Sequence, residues 1–141
     1  MLSPDERKAN FEGLRTIIAQ LRAPQGCPWD REQTHSSLRP NLLEECYEAL
    51  EALDRSDPWA LAEEMGDILI QIAFHSQIAI EQGEFTERDV FSLVMEKLVR
   101  RHPHVFGDAT ASDAREVELN WERLKEKEGD RKSPVEGIPG A

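Results

Sequence analysis

The feature that most constrains the fold is the stretch LAEEMGDILIQIAFHSQIAI at residues 61–80. From Ile68 onward it is apolar on almost every side of a helix, which is typical of a segment buried among other helices. Its first turns nevertheless carry Glu63, Glu64 and Asp67, and burying an unpaired carboxylate costs several kcal/mol. The stretch therefore predicts a core helix whose carboxylates have a partner that neutralises them.

Helical spacing of apolar residues runs through most of the chain, and strand alternation is absent. Prolines, glycines and capping residues divide it into five helical segments joined by short turns. This pattern predicts an all-α helical bundle of about four to five helices. The segments run from Ser3, with Pro4 in the first turn, to about Leu21, from about Leu38 to Leu53, from just after Ser56, Asp57 and Pro58 to about Gln82, from about Glu87 to Arg101, and from about Ser112 to Glu128.

The length of 141 residues suits one domain. We expect this domain to cover residues 1–128. Residues 129–141, which are charged and contain glycine and proline, are expected to be a flexible tail or a truncated interdomain linker.

The composition is that of a globular protein with an acidic surface, since 39% of residues are hydrophobic, 32% are charged and the formal net charge is −11. Such a charge repels nucleic-acid backbones. No apolar run approaches the ~18 residues of a membrane span, and the N-terminus lacks the apolar segment of a signal peptide. Cys27 and Cys46 show neither metal-site nor disulfide spacing, and Cys46 is expected to be a buried thiol. We therefore predict a cytoplasmic protein that binds neither nucleic acid nor membrane.

On a helical wheel, the polar residues of the third helix form a narrow strip of Glu64, Asp67, Gln71 and His75. Apolar residues flank this strip on both sides, so it is expected to line an internal groove rather than face water. Carboxylates in such a groove need a cation or a proton.

The second helix, LLEECYEALEAL, carries glutamates on one side and an apolar stripe on the other. Taken alone, these glutamates form the solvated face of an ordinary amphipathic helix. The stripe consists of Leu43, Cys46, Leu50 and Leu53.

Each of the two helices also offers an acidic pair three residues apart, Glu45 with Glu48 and Glu64 with Asp67. Side chains at this spacing share a helix face, and two such pairs on antiparallel neighbours can converge on one point. Four carboxylates with no nearby thiolate or paired imidazole form a hard oxygen site, suited to Mg²⁺ or Mn²⁺ rather than zinc. We therefore expect a carboxylate metal site between the second and third helices.

These residues also carry a specific resemblance. EECYE at residues 44–48 and EMGD at residues 64–67 resemble the E-E-x-x-E and E-x-x-D motifs of the MazG-like nucleoside triphosphate pyrophosphohydrolases. The segments LRAPQGCPWDREQTH, GDILIQIAFHSQIA and EKLVRRHPHVFGD are similar to the same family, so the resemblance runs from about Leu14 to about Glu128. It implies an all-α bundle that forms a homodimer or a dimer of dimers. It also implies Mg²⁺-dependent hydrolysis of NTPs or dNTPs to the monophosphate and pyrophosphate.

The resemblance further implies roles at the acidic motifs. Glu45, Glu48, Glu64 and Asp67 would be the metal ligands. Glu44 would have an accessory catalytic role, either as a further metal contact or in orienting the attacking water.

Substrate binding is implied for two pairs with i,i+4 spacing, Lys97 with Arg101 and Trp121 with Lys125. The members of each pair share a helix face, and a guanidinium can bind phosphate oxygens bidentately. The alternatives are surface ion pairs for the cations and a core position for Trp121. Trp29, in the CPWD segment, either contacts the base or pins its loop to the bundle.

The expected reaction is in-line attack of a metal-activated water on the α-phosphorus, with pyrophosphate as the leaving group. Its expected role is house-cleaning of the nucleotide pool. Two alternatives stay open: a narrower dUTP- or phosphoribosyl-ATP-directed pyrophosphohydrolase, and a non-catalytic structural or regulatory copy of the domain.

Overall fold

The structure is a computed structural model that describes residues 7–129. Within this range the chain has helices and turns but no strand, which confirms the predicted all-α class. None of these helices has the length and apolar character needed to cross a membrane. The helices are α1 (Phe11–Arg22), α2 (Pro28–Glu32), α3 (Arg39–Asp54), α4 (Pro58–Gln82), α5 (Glu87–Arg101), α6 (Pro103–Phe106) and α7 (Ala114–Glu128).

The later predicted helices are found close to their predicted bounds. α5 has the predicted ends, α4 begins one residue earlier than predicted, at Pro58, and α3 is shifted by one residue. α4 ends where Gly83 adopts a left-handed conformation with φ of 69°. α7 begins at Ala114 rather than at Ser112, because the Asp113 side chain caps it by accepting a hydrogen bond from the Glu116 N–H.

The first helix is shorter than predicted. α1 begins at Phe11 because Asn10 caps it, accepting a 2.9 Å hydrogen bond from the Gly13 N–H. Residues 7–10 are not helical, and the predicted start at Ser3 and Pro4 lies outside the described residues. Two short helices, α2 and α6, were not predicted; both begin at prolines in segments expected to be loops.

The described chain forms two compact units, divided between Asp89 and Val90 inside α5. In the first unit, α4 packs against α1 and α3, and α1 packs against α2. Its core consists of Ile18, Leu38, Ala73, Phe74 and Ile78. The second unit contains the rest of α5 with α6 and α7. One domain over residues 1–128 stays a prediction, and the predicted tail beyond Gly129 lies outside the described residues.

Arg22, the last residue of α1, ties three helices of the first unit together. Its guanidinium donates to both carboxylate oxygens of Glu81 on α4, at 2.9 and 3.0 Å. It also donates to the backbone carbonyls of Asp30, in α2, and of Gln33, just after it, at 2.6 and 3.0 Å. The Arg22 side chain is only 8% exposed, and its Cζ lies 5.7 Å from the Phe74 ring centroid. Arg22 therefore holds α2 against α1 and α4.

The two sides of α3 are the reverse of the predicted ones. Leu43 and Leu50, members of the predicted apolar stripe, are 59% and 54% exposed, and Cys46, expected to be buried, is exposed as well. Ala49 and Ala52 are buried instead, and α3 packs against α4. Small alanines allow close approach of the two helices, so the side of α3 that carries them faces inward. The expected burial of the leucine stripe and of Cys46 was wrong within this chain.

Candidate active site

The packing of α3 on α4 brings the two acidic pairs together. Glu45 and Glu48 lie one turn before Ala49 and Ala52 on the same face of α3. One oxygen from each of them and one each from Glu64 and Asp67 lie within 4.8 Å of one another, and all four residues are half-buried. The predicted convergence is therefore confirmed, while the role of these residues as metal ligands stays a prediction.

Burial, together with the crowding of like charges, raises the pKa of two carboxylates in this cluster. Burial is the largest cause of the raised pKa of Glu45, followed by the charges of Glu48 and Asp67. At Glu64, desolvation, a hydrogen bond with Glu48 and the neighbouring negative charges raise the pKa to about 7. Near neutral pH the cluster therefore takes up a proton when no cation neutralises it.

Two buried oxygens of the cluster have no hydrogen-bond partner in the described part of the chain. They are Oε2 of Glu45 and Oε2 of Glu64. A buried acceptor without a partner is costly, and a divalent cation would satisfy both. The donor set is oxygen only, without thiolate or imidazole. The residues present thus fit a hard cation such as Mg²⁺ or Mn²⁺.

The polar strip of α4 changes character beyond Asp67. Gln71 is only 8% exposed, and its Oε1 has no donor among residues 7–129. His75 Nδ1 lies 2.8 Å from His35 Nδ1, and His35 Nε2 lies 3.0 Å from a Glu84 carboxylate oxygen. Burial, and secondarily His35, lower the pKa of His75. The strip predicted to line one groove is therefore a carboxylate cluster followed by a buried amide and an imidazole pair.

In the second unit, two of the residues predicted to bind substrate are in contact. The Arg101 Cζ lies 5.4 Å from the ring centroid of the half-buried Trp121, a distance typical of a cation–π interaction. Arg101 also donates Nε and Nη2 to Oε2 of Glu128 at 3.0 and 2.8 Å, so this cation has an ion-pair partner in the chain, and its role in substrate binding stays a prediction. Lys97 and Lys125 are exposed, and neither has a salt-bridge partner within residues 7–129.

Glu128 was not singled out from the sequence. It accepts a 2.6 Å hydrogen bond from Arg100 Nε as well as those from Arg101. Hydrogen bonds from Arg100 and then Arg101 lower the pKa of Glu128 to about 2. A signal was present, because Glu128 follows Trp121 by seven residues, or two helical turns, and so shares its face.

The remaining predicted residues lie on the surface of the first unit. Glu44 is exposed and is not part of the four-carboxylate set. Trp29, on α2, is 54% exposed, and its carbonyl accepts a 2.9 Å hydrogen bond from Gln33 Nε2. Polar contacts of Arg22 and Gln33 hold this segment, which leaves the indole of Trp29 accessible.

Residues 33–106 match the model of the MazG nucleotide pyrophosphohydrolase domain. Over 122 residues, or 86% of this chain, the sequence is 50% identical to the nucleoside triphosphate pyrophosphohydrolase/pyrophosphatase MazG of Thermotoga maritima. The chain belongs to the MazG family. The resemblance noted from the motifs is thereby confirmed.

Other MazG relatives show the same likeness. The nucleoside triphosphate pyrophosphohydrolase of Escherichia coli K12 is 45% identical over 92% of this chain, and the uncharacterized protein YabN of Bacillus subtilis is 47% identical over 92%. The chain spans only part of these relatives, 46% of the Thermotoga protein, 51% of the E. coli protein and 27% of YabN. The crystal structure of a mazG-related protein from Thermotoga maritima aligns with a TM-score of 0.66 at 28% identity, covering 82% of this chain and 98% of that one.

Proposed function

We propose that this MazG chain is a Mg²⁺-dependent pyrophosphohydrolase that converts NTPs or dNTPs to the monophosphate and pyrophosphate. The observation that carries the proposal is the convergence of four carboxylates with two unpartnered buried oxygens. Relatives that are named nucleoside triphosphate pyrophosphohydrolases support the substrate class. The role that follows is removal of unwanted nucleotides from the pool.

Different residues of the chain would have different roles in the reaction. Glu45, Glu48, Glu64 and Asp67 would hold the cation. When bound there, Mg²⁺ neutralises triphosphate charge and lowers the pKa of a water that can attack the α-phosphorus in line. Water adds across the bond between the α-phosphorus and its bridging oxygen, so pyrophosphate leaves without a covalent protein intermediate.

Other side chains would bind and orient the substrate. Glu44, exposed beside Glu45, would orient the attacking water. Cations stabilise the charge that develops on the leaving pyrophosphate. The substrate-binding set is Lys97, Arg101, Trp121 and Lys125, with Trp29 as a contact to the base.

We also propose that the chain works as a homodimer, or as a pair of dimers. The exposed side of α3 presents Leu43, Tyr47 and Leu50 at i, i+4 and i+7 spacing, and Leu69 and Ile72 are exposed on α4. Soluble monomers rarely expose apolar patches of this kind. Two copies related by a two-fold axis would cover the same face on each other and form a four-helix packing of α3 and α4.

The test is product analysis after incubation with NTPs and dNTPs, including dUTP and phosphoribosyl-ATP, with and without Mg²⁺. We expect monophosphate and pyrophosphate to appear only with the metal. Replacing Glu64→Gln and Asp67→Asn together should lower kcat/KM by at least about 100-fold, because the metal loses two charged ligands. The matched control is Glu63→Gln, an exposed carboxylate on the same helix turn and outside the cluster.

Each contrary result has a definite meaning. Turnover of dUTP or phosphoribosyl-ATP alone would favour the narrower enzyme. Full activity in the double variant would refute the assigned metal site. Folded protein that binds Mg²⁺ but turns over no nucleotide would identify a non-catalytic copy of the domain.

A further inference from the structure

One carboxylate in the second unit holds two arginines at once. Oε1 of Glu128 accepts from Arg100 Nε at 2.6 Å, and Oε2 accepts from Arg101 Nε and Nη2 at 3.0 and 2.8 Å. The side chains of Glu128 and Arg101 are only 15% and 17% exposed. Charge-assisted hydrogen bonds of this length are stronger than neutral ones, and partial burial protects them from solvent screening.

Aromatic side chains also hold the Arg101 guanidinium in place. Its Cζ lies 5.4 Å from the Trp121 centroid, and the His102 ring meets the same indole edge-on at 4.9 Å between centroids. His102 is itself anchored, because its Nδ1 lies 2.6 Å from the Leu98 carbonyl oxygen. The Glu128 carboxylate therefore holds one edge of the Arg101 guanidinium, and the Trp121 ring holds one of its faces.

These contacts leave some N–H donors of the Arg101 guanidinium without a hydrogen-bond partner within residues 7–129. A guanidinium carries five N–H groups, and Glu128 engages only Nε and Nη2. Nη1 of Arg101 makes no hydrogen bond within residues 7–129. Arg100 also donates Nη1 to Glu96 at 3.2 Å, so two carboxylates balance the two arginines, and the donor that stays free is Nη1 of Arg101.

This arrangement lowers the entropy cost of binding a phosphate. A free arginine loses side-chain entropy when it grips an oxyanion, whereas a held arginine has lost that entropy already. A carboxylate that orients a guanidinium therefore increases its affinity for phosphate, provided that the free donor edge stays available.

We propose that Glu128 is a positioning residue for substrate binding: it fixes Arg101 on Trp121 so that the free Nη1 side of the guanidinium is directed at a phosphate group of the nucleotide. The inference rests on the proposed function, because it requires a polyphosphate substrate. Glu128 touches no substrate itself and acts through Arg101.

The first experiment compares steady-state kinetics of Glu128→Gln with those of Glu126→Gln, an exposed glutamate on the same turn of α7. We expect KM of the Glu128 variant to rise roughly tenfold while kcat changes less than about twofold, since the loss is in ground-state binding. Glu126→Gln should match the native protein. The KM effect should be constant between pH 6 and 9, because Glu128, with a pKa of about 2, is ionised throughout.

A double-mutant cycle separates positioning from general stabilisation. Arg101→Gln alone should raise KM, and adding Glu128→Gln to it should raise KM no further. Glu128→Asp, which keeps the charge, should restore part of the affinity. An unchanged KM in Glu128→Gln, or a full further increase in the Arg101→Gln background, would overturn the proposal.

A second measurement does not depend on turnover. The Arg101 Nε–H resonance should be protected from solvent exchange in the native protein and lose this protection in Glu128→Gln but not in Glu126→Gln. Binding of inorganic tripolyphosphate should weaken in parallel. If the native protein turned over no nucleotide, the proposed function would fail while these two readouts still decided the positioning role. Native-like protection and tripolyphosphate binding in Glu128→Gln would refute it.

Discussion

The fold raises the pKa of the Glu64 carboxylate to near neutral pH. Its pKa of about 7 arises from desolvation, from a hydrogen bond with Glu48 and from the charges of Glu48, Asp67 and Glu45. The contributions of Glu48 and Glu45 come from the packing of α3 on α4, whereas Asp67 lies on α4 itself. A group of this kind links folding, pH and cation binding, because a proton and a metal ion compete for the same oxygens.

The metal-free protein should therefore lose stability as pH rises from about 5 to about 8. The folded state holds the Glu64 proton up to a pKa of about 7, whereas the unfolded chain releases it near the ordinary glutamate pKa of 4.5. Protons bound to the folded state exceed those bound to the unfolded state in this window, so the free energy of unfolding falls as pH rises. Thermal melting with a chelator present measures this trend.

Glu64→Gln supplies the comparison for that trend. At pH 8 without metal this variant should melt a few degrees above the native protein, and at pH 5 the two should melt alike. Added Mg²⁺ should raise the melting temperature of the native protein at pH 8 far more than that of the variant. A native protein whose stability is flat across this pH range would contradict the assigned pKa.

At the scale of the elements, the five-residue helix α2 is held by the side chain of Arg22, which lies outside it. No pattern in the five residues of α2 indicates this contact. Arg22 joins it to α1 and to Glu81 on α4 through four hydrogen bonds. A helix this short is not stable by itself. The exposed Trp29 on α2 is therefore positioned by a cation elsewhere in the chain.

Arg22→Ala should lower the free energy of unfolding by about 2–3 kcal/mol, since it removes four hydrogen bonds, two of them to backbone carbonyls. Urea denaturation measures this loss. Arg55→Ala, at the exposed C-cap of α3, is the control and should change stability by less than about 0.5 kcal/mol. If Arg22→Ala were as stable as the control, the hydrogen bonds of Arg22 to α2 would contribute nothing measurable to the free energy of unfolding.

At the scale of the whole molecule, α3 carries an apolar surface that stays exposed in the described part of a single chain. Leu43 and Leu50 are 59% and 54% exposed, on the side opposite the buried Ala49 and Ala52. The helix therefore has one face packed on α4 and one apolar face that is exposed. The proposed homodimer gives the second face a partner.

Replacing Leu43→Glu and Leu50→Glu together should dissociate this dimer, because four carboxylates would enter the apolar interface of the pair. Sedimentation equilibrium should give twice the chain mass for the native protein, or four times for a pair of dimers, and a lower mass for the variant, that of one chain where the dimer is the native form. Glu51→Gln, exposed on the same helix, should keep the native mass. A native protein of single-chain mass would exclude the dimer.

Local signals were sufficient for most of the elements. Asp57 and Pro58 start α4, and Gly83 ends it, as the capping residues predict. The error at α1 came from choosing Ser3 when Asn10 offered a cap closer to the apolar pattern. Short helices such as α2 were missed because their stability is supplied by contacts distant in sequence.

By itself, the sequence determined the all-α class, the bounds of the long helices, the MazG family and the identity of the acidic pairs, because each of these depends on residues close together along the chain. Only the tertiary structure decided which side of α3 faces inward, since leucines and glutamates on one helix do not reveal which side a neighbour covers. The raised pKa of Glu64 and the grip of Glu128 on Arg101 likewise exist only where separate helices meet. Interaction energies of this kind depend on distance in space, and the order of residues along a chain does not contain that distance.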